Sequence, residues 1–116
     1  MTQRVEKVQK LARQVLGELI QELKDPRVGF VTVTAVRMTP DLRSARVFVS
    51  VLGTEAEQED SIAGLKSATP HLRSELGHEM RLKYTPELTF QLDHGPEEAQ
   101  RLETLLKKIH HDEDGE

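Results

Sequence analysis

The sequence contains no cysteine and no tryptophan, and only three phenylalanines and one tyrosine. Without cysteine, the chain has no disulfide scaffold, thiolate zinc site, iron–sulfur cluster or cysteine nucleophile. So few rings argue against the extended aromatic platform on which many single-strand binders stack bases. Disulfide-rich and thiol-dependent classes of protein are therefore excluded.

Long apolar runs are also missing. No stretch approaches the roughly 20 apolar residues of a membrane span, and the segment MTQRVEKVQK lacks the apolar core of a signal peptide. We therefore expect a soluble, cytoplasmic protein with no membrane contact. Its 116 residues, 36% of them hydrophobic, suit one domain with a single core.

Motifs for catalysis and for cofactors are scarce. The five histidines show no H-E-x-x-H spacing, the serines lack a nucleophile-elbow context, and the glycines are too dispersed for a phosphate-binding loop. The pair His110 and His111 beside Asp112 is more typical of a frayed helix end than of a metal site. The sequence predicts no enzyme activity, no metal and no cofactor.

The net charge of −4 hides a segregation of charge. The acidic run 55–60 and the tail 112–116 together hold eight of the 20 acidic residues, which leaves twelve against 16 Lys and Arg elsewhere. The rest of the chain therefore carries a net charge of +4. This asymmetry indicates a polyanionic partner such as nucleic acid.

The first half of the chain predicts a helix followed by a β-hairpin. An apolar stripe at three- and four-residue steps runs from Val5 to Leu23, and Asp25-Pro26 ends that helix. Residues 28–38 and 44–52 are β-branched and alternate, with turn residues between them. In the second strand the alanine and the valines share one face. In the first strand both faces are apolar, so the buried face is not assigned.

The second half predicts two helices, a strand and a last helix. Thr54 and Glu57 form a capping box for the first of these helices, and Pro70 ends it. Thr69 then caps a second helix that begins at Pro70. Strand 87–92 follows, and a last helix begins at Pro96. The order predicts a two-layer α+β sandwich with the helices on one sheet face.

Basic side chains are the candidate binding residues, because Lys and Arg neutralise backbone phosphates. Four of them lie on the polar face of the first helix, and the others lie at the turns, on the hairpin and along the central helices. Arg73 also lies close to the helix start expected at Pro70, where free N–H groups favour an anion. The candidates are Arg4, Lys7, Lys10, Arg13, Arg27, Arg43, Arg46, Lys66, Arg73, Arg81 and Lys83.

Two long strings carry a resemblance to a known family. DPRVGFVTVTAVRMTPDLRSARVFVSVLG (25–53) and HLRSELGHEMRLKYTPELTF (71–90) closely resemble ribosome-binding factor A, a family of bacterial factors that mature the small ribosomal subunit. The resemblance implies a KH-like fold of the second type, α-β-β-α(kink)α-β, in agreement with the element order above. Together with the residue patterns, it predicts a KH-like RNA-binding domain (1–94), followed by a C-terminal helix (95–111) and an acidic disordered tail (112–116), which match the family only loosely.

The resemblance also implies a function. It implies a non-enzymatic assembly factor that binds the free or immature 30S subunit and 16S rRNA and assists late rRNA maturation. It further implies a functional link to a ribosome-assembly GTPase and a role in cold adaptation, and we expect a monomer. The alternative is a protein–protein adaptor that uses the open sheet face, where Phe48 lies between Arg46 and Ser50.

One position departs from the family pattern. The family bends its central helix at an Ala-x-Gly sequence, whereas this chain reads Ala68-Thr69-Pro70. Proline has no backbone N–H, so no ligand contact can use the N–H of residue 70. The resemblance therefore assigns phosphate contacts near the kink to the side chains of Lys66 and Arg73.

Overall fold

Two helices pack on one face of a three-stranded sheet in the computed structural model, which describes residues 3–95 and 101–107. In chain order the elements are α1 (Gln3–Gln21), β1 (Phe30–Met38), β2 (Ser44–Leu52), α2 (Glu55–Met80) and β3 (Glu87–Leu92). Strands β1 and β2 are antiparallel, and α2 crosses over to β3, which lies parallel to β2. This is the predicted α+β sandwich, and its element order is that of the KH-like fold.

The core lies between the helices and one sheet face. From β2, Ala45, Val47, Val49 and Val51 are all buried there, as the alternation predicts. The intervening β2 residues lie on the open face and are exposed or half-buried. The helices supply the largest fully buried side chains, Leu16 from α1 and Leu65, Leu72 and Leu76 from α2. Both α1 and α2 therefore leave the open face uncovered.

A bulge in β1 explains why its buried face could not be assigned from the sequence. Val33 pairs with Val49 and Ala35 pairs with Phe48, so Thr34 is an extra residue in the ladder. An extra residue shifts the alternation of the strand by one position. Inward-facing residues therefore have odd numbers before the bulge, as at Val33, and even numbers after it, as at Val36.

Helix α1 ends earlier than the proline predicts. The last helical residue is Gln21, and Asp25-Pro26 lies in the turn that follows. This turn is fixed against α2 instead: the buried Ser61 hydroxyl accepts from the Gly29 N–H at 3.1 Å and donates to the Arg27 carbonyl at 3.3 Å. The turn that contains Asp25-Pro26 is thus attached to α2, and α1 has already ended before it.

The two helices expected around Pro70 are one helix, α2, with the proline inside it. The capping box of Thr54 and Glu57 is confirmed at its start. Thr69 is not an N-cap, because its hydroxyl donates to the Leu65 carbonyl one turn earlier, at 3.0 Å. An interior proline costs about 3 kcal/mol or more. Full burial of Leu65 before it and Leu72 after it holds both halves of the helix in the same core.

Two helical glycines give a matched pair for testing the packing. A Cβ on Gly64 would lie 2.6 Å from Val28 Cγ2, whereas a Cβ on Gly17 would have no neighbour within 4 Å. Valine is stiff at χ1 and cannot easily move aside. We expect Gly64→Ala to lower the free energy of unfolding by about 1–3 kcal/mol, and Gly17→Ala to raise it by about 0.5–1 kcal/mol. Urea denaturation of both variants measures the difference, and a stabilising Gly64→Ala would contradict this packing.

Asp93 fixes the point at which the chain leaves the sheet. Its carboxylate accepts from the Thr34 hydroxyl at 2.7 Å and from the Gly95 N–H at 2.9 Å. The Thr34 hydrogen bond, assisted by that of the Gly95 N–H, lowers the pKa of Asp93. Gly95 is helical and Asp93 stands before it like a helix cap, in agreement with the predicted last helix.

The remaining C-terminal residues are described only in part. Residues 101–107 are helical, and Leu102, Leu105 and Leu106 are more than half exposed. The rest of the predicted helix 95–111, apart from Gly95, and the acidic tail 112–116 lie outside the described residues. Within the described part of the chain, no helix is long and apolar enough to cross a membrane.

Candidate nucleic-acid interface

Helix α1 presents the cationic face that its periodicity predicts. Arg4, Lys7, Lys10 and Arg13 are all exposed, because the stripe on the opposite side of the helix is buried in the core. The buried Gln9 accepts a hydrogen bond from the Met38 N–H at 2.8 Å. This bond ties α1 to β1, which is an edge strand of the sheet. The cationic face is therefore held beside an edge that no other strand covers in the described part of the chain.

A cleft lies between this helix and the edge strand, and we call it the α1–β1 cleft. It has a volume of about 680 Å³ and is lined by Glu6, Gln9, Lys10, Arg13, Thr34, Ala35, Val36 and Arg37. Its charged side chains are three cations and one carboxylate, so the cleft carries a net positive charge. Such a groove attracts a polyanion and can hold phosphates between the two elements.

Arg37 is a residue that the sequence analysis missed. It is exposed and pairs directly with Arg46 across the hairpin. Like charges that face each other across two strands destabilise a sheet, and a bound anion would relieve the repulsion. The register of the hairpin could have revealed this pair. Alternation alone does not show that register, because the bulge at Thr34 shifts it.

A second cationic group surrounds Tyr84, in the loop before β3. The guanidinium carbon of Arg43 lies 4.1 Å from the centre of the Tyr84 ring, and the ammonium of Lys83 lies 5.5 Å from it. Both distances are within the range of cation–π attraction. We call these three residues the Tyr84 cluster. The sequence analysis named its two cations but not the ring.

Arg27 is engaged within the protein. Its guanidinium forms an ion pair with the Asp25 carboxylate at 2.7 Å and donates to the Ser67 hydroxyl at 3.1 Å. The hydrogen bonds from Arg27 lower the pKa of Asp25, and the same pair raises the pKa of Arg27. The charge of Arg27 is thus compensated locally, and its side chain fastens the turn after α1 to α2.

Arg73 lies elsewhere than expected. It is in the middle of α2 and not near a helix N-terminus, because the helix does not restart at Pro70. Its guanidinium donates to the carbonyls of Pro86 at 2.9 Å and Thr85 at 3.2 Å. Arg73 therefore fixes the loop before β3, and no helix-end N–H groups of α2 lie beside it to bind an anion.

The other candidate cations are spread over the surface. Lys66 is exposed on α2, and Arg81 is exposed at the end of that helix with a left-handed backbone, φ 52°. Neither lines the α1–β1 cleft. Within residues 3–95 and 101–107, no group of three or more His, Asp or Glu side chains could hold a metal ion. The cations that the structure does bring together are those of the cleft and the Tyr84 cluster.

Comparisons with known proteins identify close relatives. The family model described as ribosome-binding factor A matches residues 4–106. A ribosome-binding factor A of Natranaerobius thermophilus is 46% identical over 112 residues, which cover 96% of this chain and 86% of the relative. One from Citrifermentans bemidjiense is 41% identical over 117 residues, which cover 100% of this chain and 98% of the relative.

Solved structures agree with the sequence relatives. The crystal structure of ribosome-binding factor A from Thermus thermophilus is 30% identical with a TM-score of 0.69, over 76% of this chain and 94% of that one. A homology model of the Thermus thermophilus protein, fitted into the cryo-EM map of a 30S–RbfA complex, is also 30% identical. Its TM-score is 0.63, over 73% of this chain and 90% of that one.

Proposed function

The chain belongs to the ribosome-binding factor A family, and we propose that it is a non-enzymatic assembly factor of the small ribosomal subunit. It binds the free or immature 30S subunit through 16S rRNA and assists late rRNA maturation. A related protein fitted into the map of a 30S complex supports the choice of partner. The finer steps of maturation rest on the resemblance of the sequence to the family.

The cationic α1–β1 cleft is the observation that carries this proposal. Lys10 and Arg13 come from α1 and Arg37 comes from β1, so the cations lie on two rigid elements joined by the Gln9–Met38 hydrogen bond. Cations at fixed positions bind phosphates that have a matching spacing, which selects RNA geometry more than RNA sequence. Arg4 and Lys7 extend the same helix face.

The mechanism follows from this selectivity. A protein shifts a conformational equilibrium of RNA only by its differential affinity for the two states. A rigid cationic surface that fits one arrangement of phosphates therefore favours that arrangement without covalent chemistry. Misfolded RNA escapes slowly in the cold, so this effect accounts for the role in cold adaptation that the resemblance implies. We further propose that the protein acts as a monomer in the cytoplasm and is released with the help of a ribosome-assembly GTPase.

A protein–protein adaptor is the second candidate function. Phe30 and Leu52 are cross-strand partners at one end of the sheet and are 79% and 74% exposed. Exposed apolar side chains that lie side by side can contact another protein. Apolar binding changes little with salt, whereas phosphate binding falls steeply. Salt dependence therefore separates the two functions.

We expect binding to purified free small subunits to weaken by about 20- to 150-fold when the salt concentration rises fourfold. This range follows from three to four phosphate contacts and the known release of counterions at each of them. Co-sedimentation at several salt concentrations measures the slope, with large subunits as the control. Binding that stays constant across the series would contradict phosphate recognition and favour the adaptor.

A further inference from the structure

We propose that the Tyr84 cluster is a binding site for one unpaired RNA nucleotide. The base stacks on the Tyr84 ring beside the guanidinium of Arg43, and the ammonium of Lys83 neutralises the adjoining phosphate. This inference rests on the proposed function, because it takes RNA as the ligand. It adds a site outside the α1–β1 cleft and gives that site a different ligand, a base face in place of backbone phosphates.

Tyr84 is accessible to solvent. The residue is 47% exposed, although burial of an aromatic side chain would stabilise the folded protein. Phe90, the aromatic residue of the adjoining strand, is by contrast 6% exposed in the core. The Tyr84 cluster contains a single ring, so the site fits a single base and not a run of stacked bases.

The loop that carries the ring is also held in place before any ligand arrives. The carbonyls of Thr85 and Pro86, directly after the ring, accept hydrogen bonds from Arg73. Pro86 is fully buried, and the Glu87 N–H donates to the Arg43 carbonyl at 2.8 Å. These contacts join the loop to α2 and to the hairpin turn. A preorganised site loses little entropy when its ligand binds.

The chemistry around the ring favours a nucleotide. A base has two flat faces, and proteins that bind unpaired RNA stack those faces on aromatic rings or guanidinium planes. Tyr84 supplies an aromatic ring and Arg43 a guanidinium plane, with the guanidinium carbon 4.1 Å from the ring centre. Lys83 adds a compact charge near the ring, suited to a phosphate oxygen. A paired base keeps its faces stacked inside the duplex, so the cluster selects unpaired RNA.

Intrinsic fluorescence tests the proposal directly. Tyr84 is the one tyrosine and the chain has no tryptophan, so tyrosine emission reports on this ring alone. We expect a ten-nucleotide single-stranded RNA to quench the emission on binding. An abasic backbone of the same length and charge is the matched probe, and it should bind without quenching. Equal quenching by both probes, or no quenching by the RNA, would overturn the stacking.

Variants provide the second readout. Tyr84→Leu is expected to weaken binding of the single-stranded RNA by about 5- to 100-fold, while Tyr84→Phe keeps wild-type affinity. Phe30→Leu, at another exposed ring, is the control and should change nothing. Unchanged affinity in Tyr84→Leu would overturn the site.

Binding of free small subunits separates failure of this site from failure of the proposed function. If that binding keeps its full salt dependence, the proposed function stands even without the Tyr84 site. If the wild type shows no salt dependence, the proposed function itself is contradicted.

Discussion

Reversing the charges of Lys10 and Arg13 to glutamate is expected to weaken binding to free small subunits by at least about 100-fold. Each side chain lines the α1–β1 cleft, and a hydrogen bond to a charged group contributes about 1.5–3 kcal/mol. Removal of two such bonds gives at least about 3 kcal/mol, and repulsion between the new carboxylates and phosphate adds to it. The slope of affinity against salt should also fall by about one unit for each phosphate that is no longer bound.

The matched control reverses two cations outside the cleft. Lys24 lies in the turn after α1 and Lys107 lies on the C-terminal helix, and both are exposed. Lys24→Glu with Lys107→Glu changes the net charge by the same amount as the test variant. Exposed substitutions usually change stability by no more than about 0.5 kcal/mol, which circular dichroism and urea denaturation can verify. If both double variants bind equally well, the RNA surface lies elsewhere, with Arg43 and Arg46 as the next candidates.

Leu72→Ala should lower the free energy of unfolding more than the other substitutions proposed above. Leu72 is fully buried in α2, two residues after the proline, and belongs to the single core. Leu→Ala substitutions in such positions lower the free energy of unfolding by about 2–5 kcal/mol, because burial is reduced and a cavity is left behind. The expected fall in the melting temperature is about 10 °C or more. The loss of stability should exceed that caused by the cavity alone, because Leu72 also anchors the part of α2 that follows Pro70.

Leu105 is the control for this prediction. It is helical as well, but its side chain is 53% exposed. Leu105→Ala should therefore change the free energy of unfolding by no more than about 0.5 kcal/mol. Urea denaturation of both variants measures the two free energies. Equal losses in the two variants would show that the packing of α2 against the sheet is not as described.

Local sequence patterns predicted the structure correctly where no contact with a distant part of the chain competes with them. The alternation of β2 correctly identified its buried residues, and the Thr54–Glu57 capping box correctly located the start of α2. In β1 the same kind of reasoning failed, because one extra residue at Thr34 exchanges the two faces halfway along the strand. A bulge has no fixed sequence signature, so alternation alone cannot locate it.

Helix boundaries were harder to predict than the buried face of β2, because tertiary packing can keep a helix continuous through a proline. Pro26 was expected to end α1, which ends slightly earlier at Gln21. Pro70 was expected to divide α2, which instead continues through it. In α2 the buried leucines on either side of Pro70 outweigh the missing hydrogen bond. Local rules give the free energy that a proline costs inside a helix. Packing of the core determines whether the helix forms in spite of that cost.

The candidate site was predictable in part for a related reason. Exposure of the cations on α1 follows from the apolar stripe opposite them, so those residues could be named from the sequence. The partners of Arg73 could not, because the carbonyls that it binds lie on a loop 12 and 13 residues further along the chain. Arg37 was missed because its pairing with Arg46 depends on the bulge.

The uncovered edge of β1 bears on how the molecules behave at high concentration. An edge strand with unpaired N–H and C=O groups can recruit the same edge of another copy and start aggregation. Here the Thr34 bulge interrupts the ladder that such pairing would need. A second copy would also bring its own Lys10, Arg13 and Arg37 against these three cations. The charges that we propose bind RNA at this edge are thus also expected to oppose the joining of sheets between neighbouring copies of the protein.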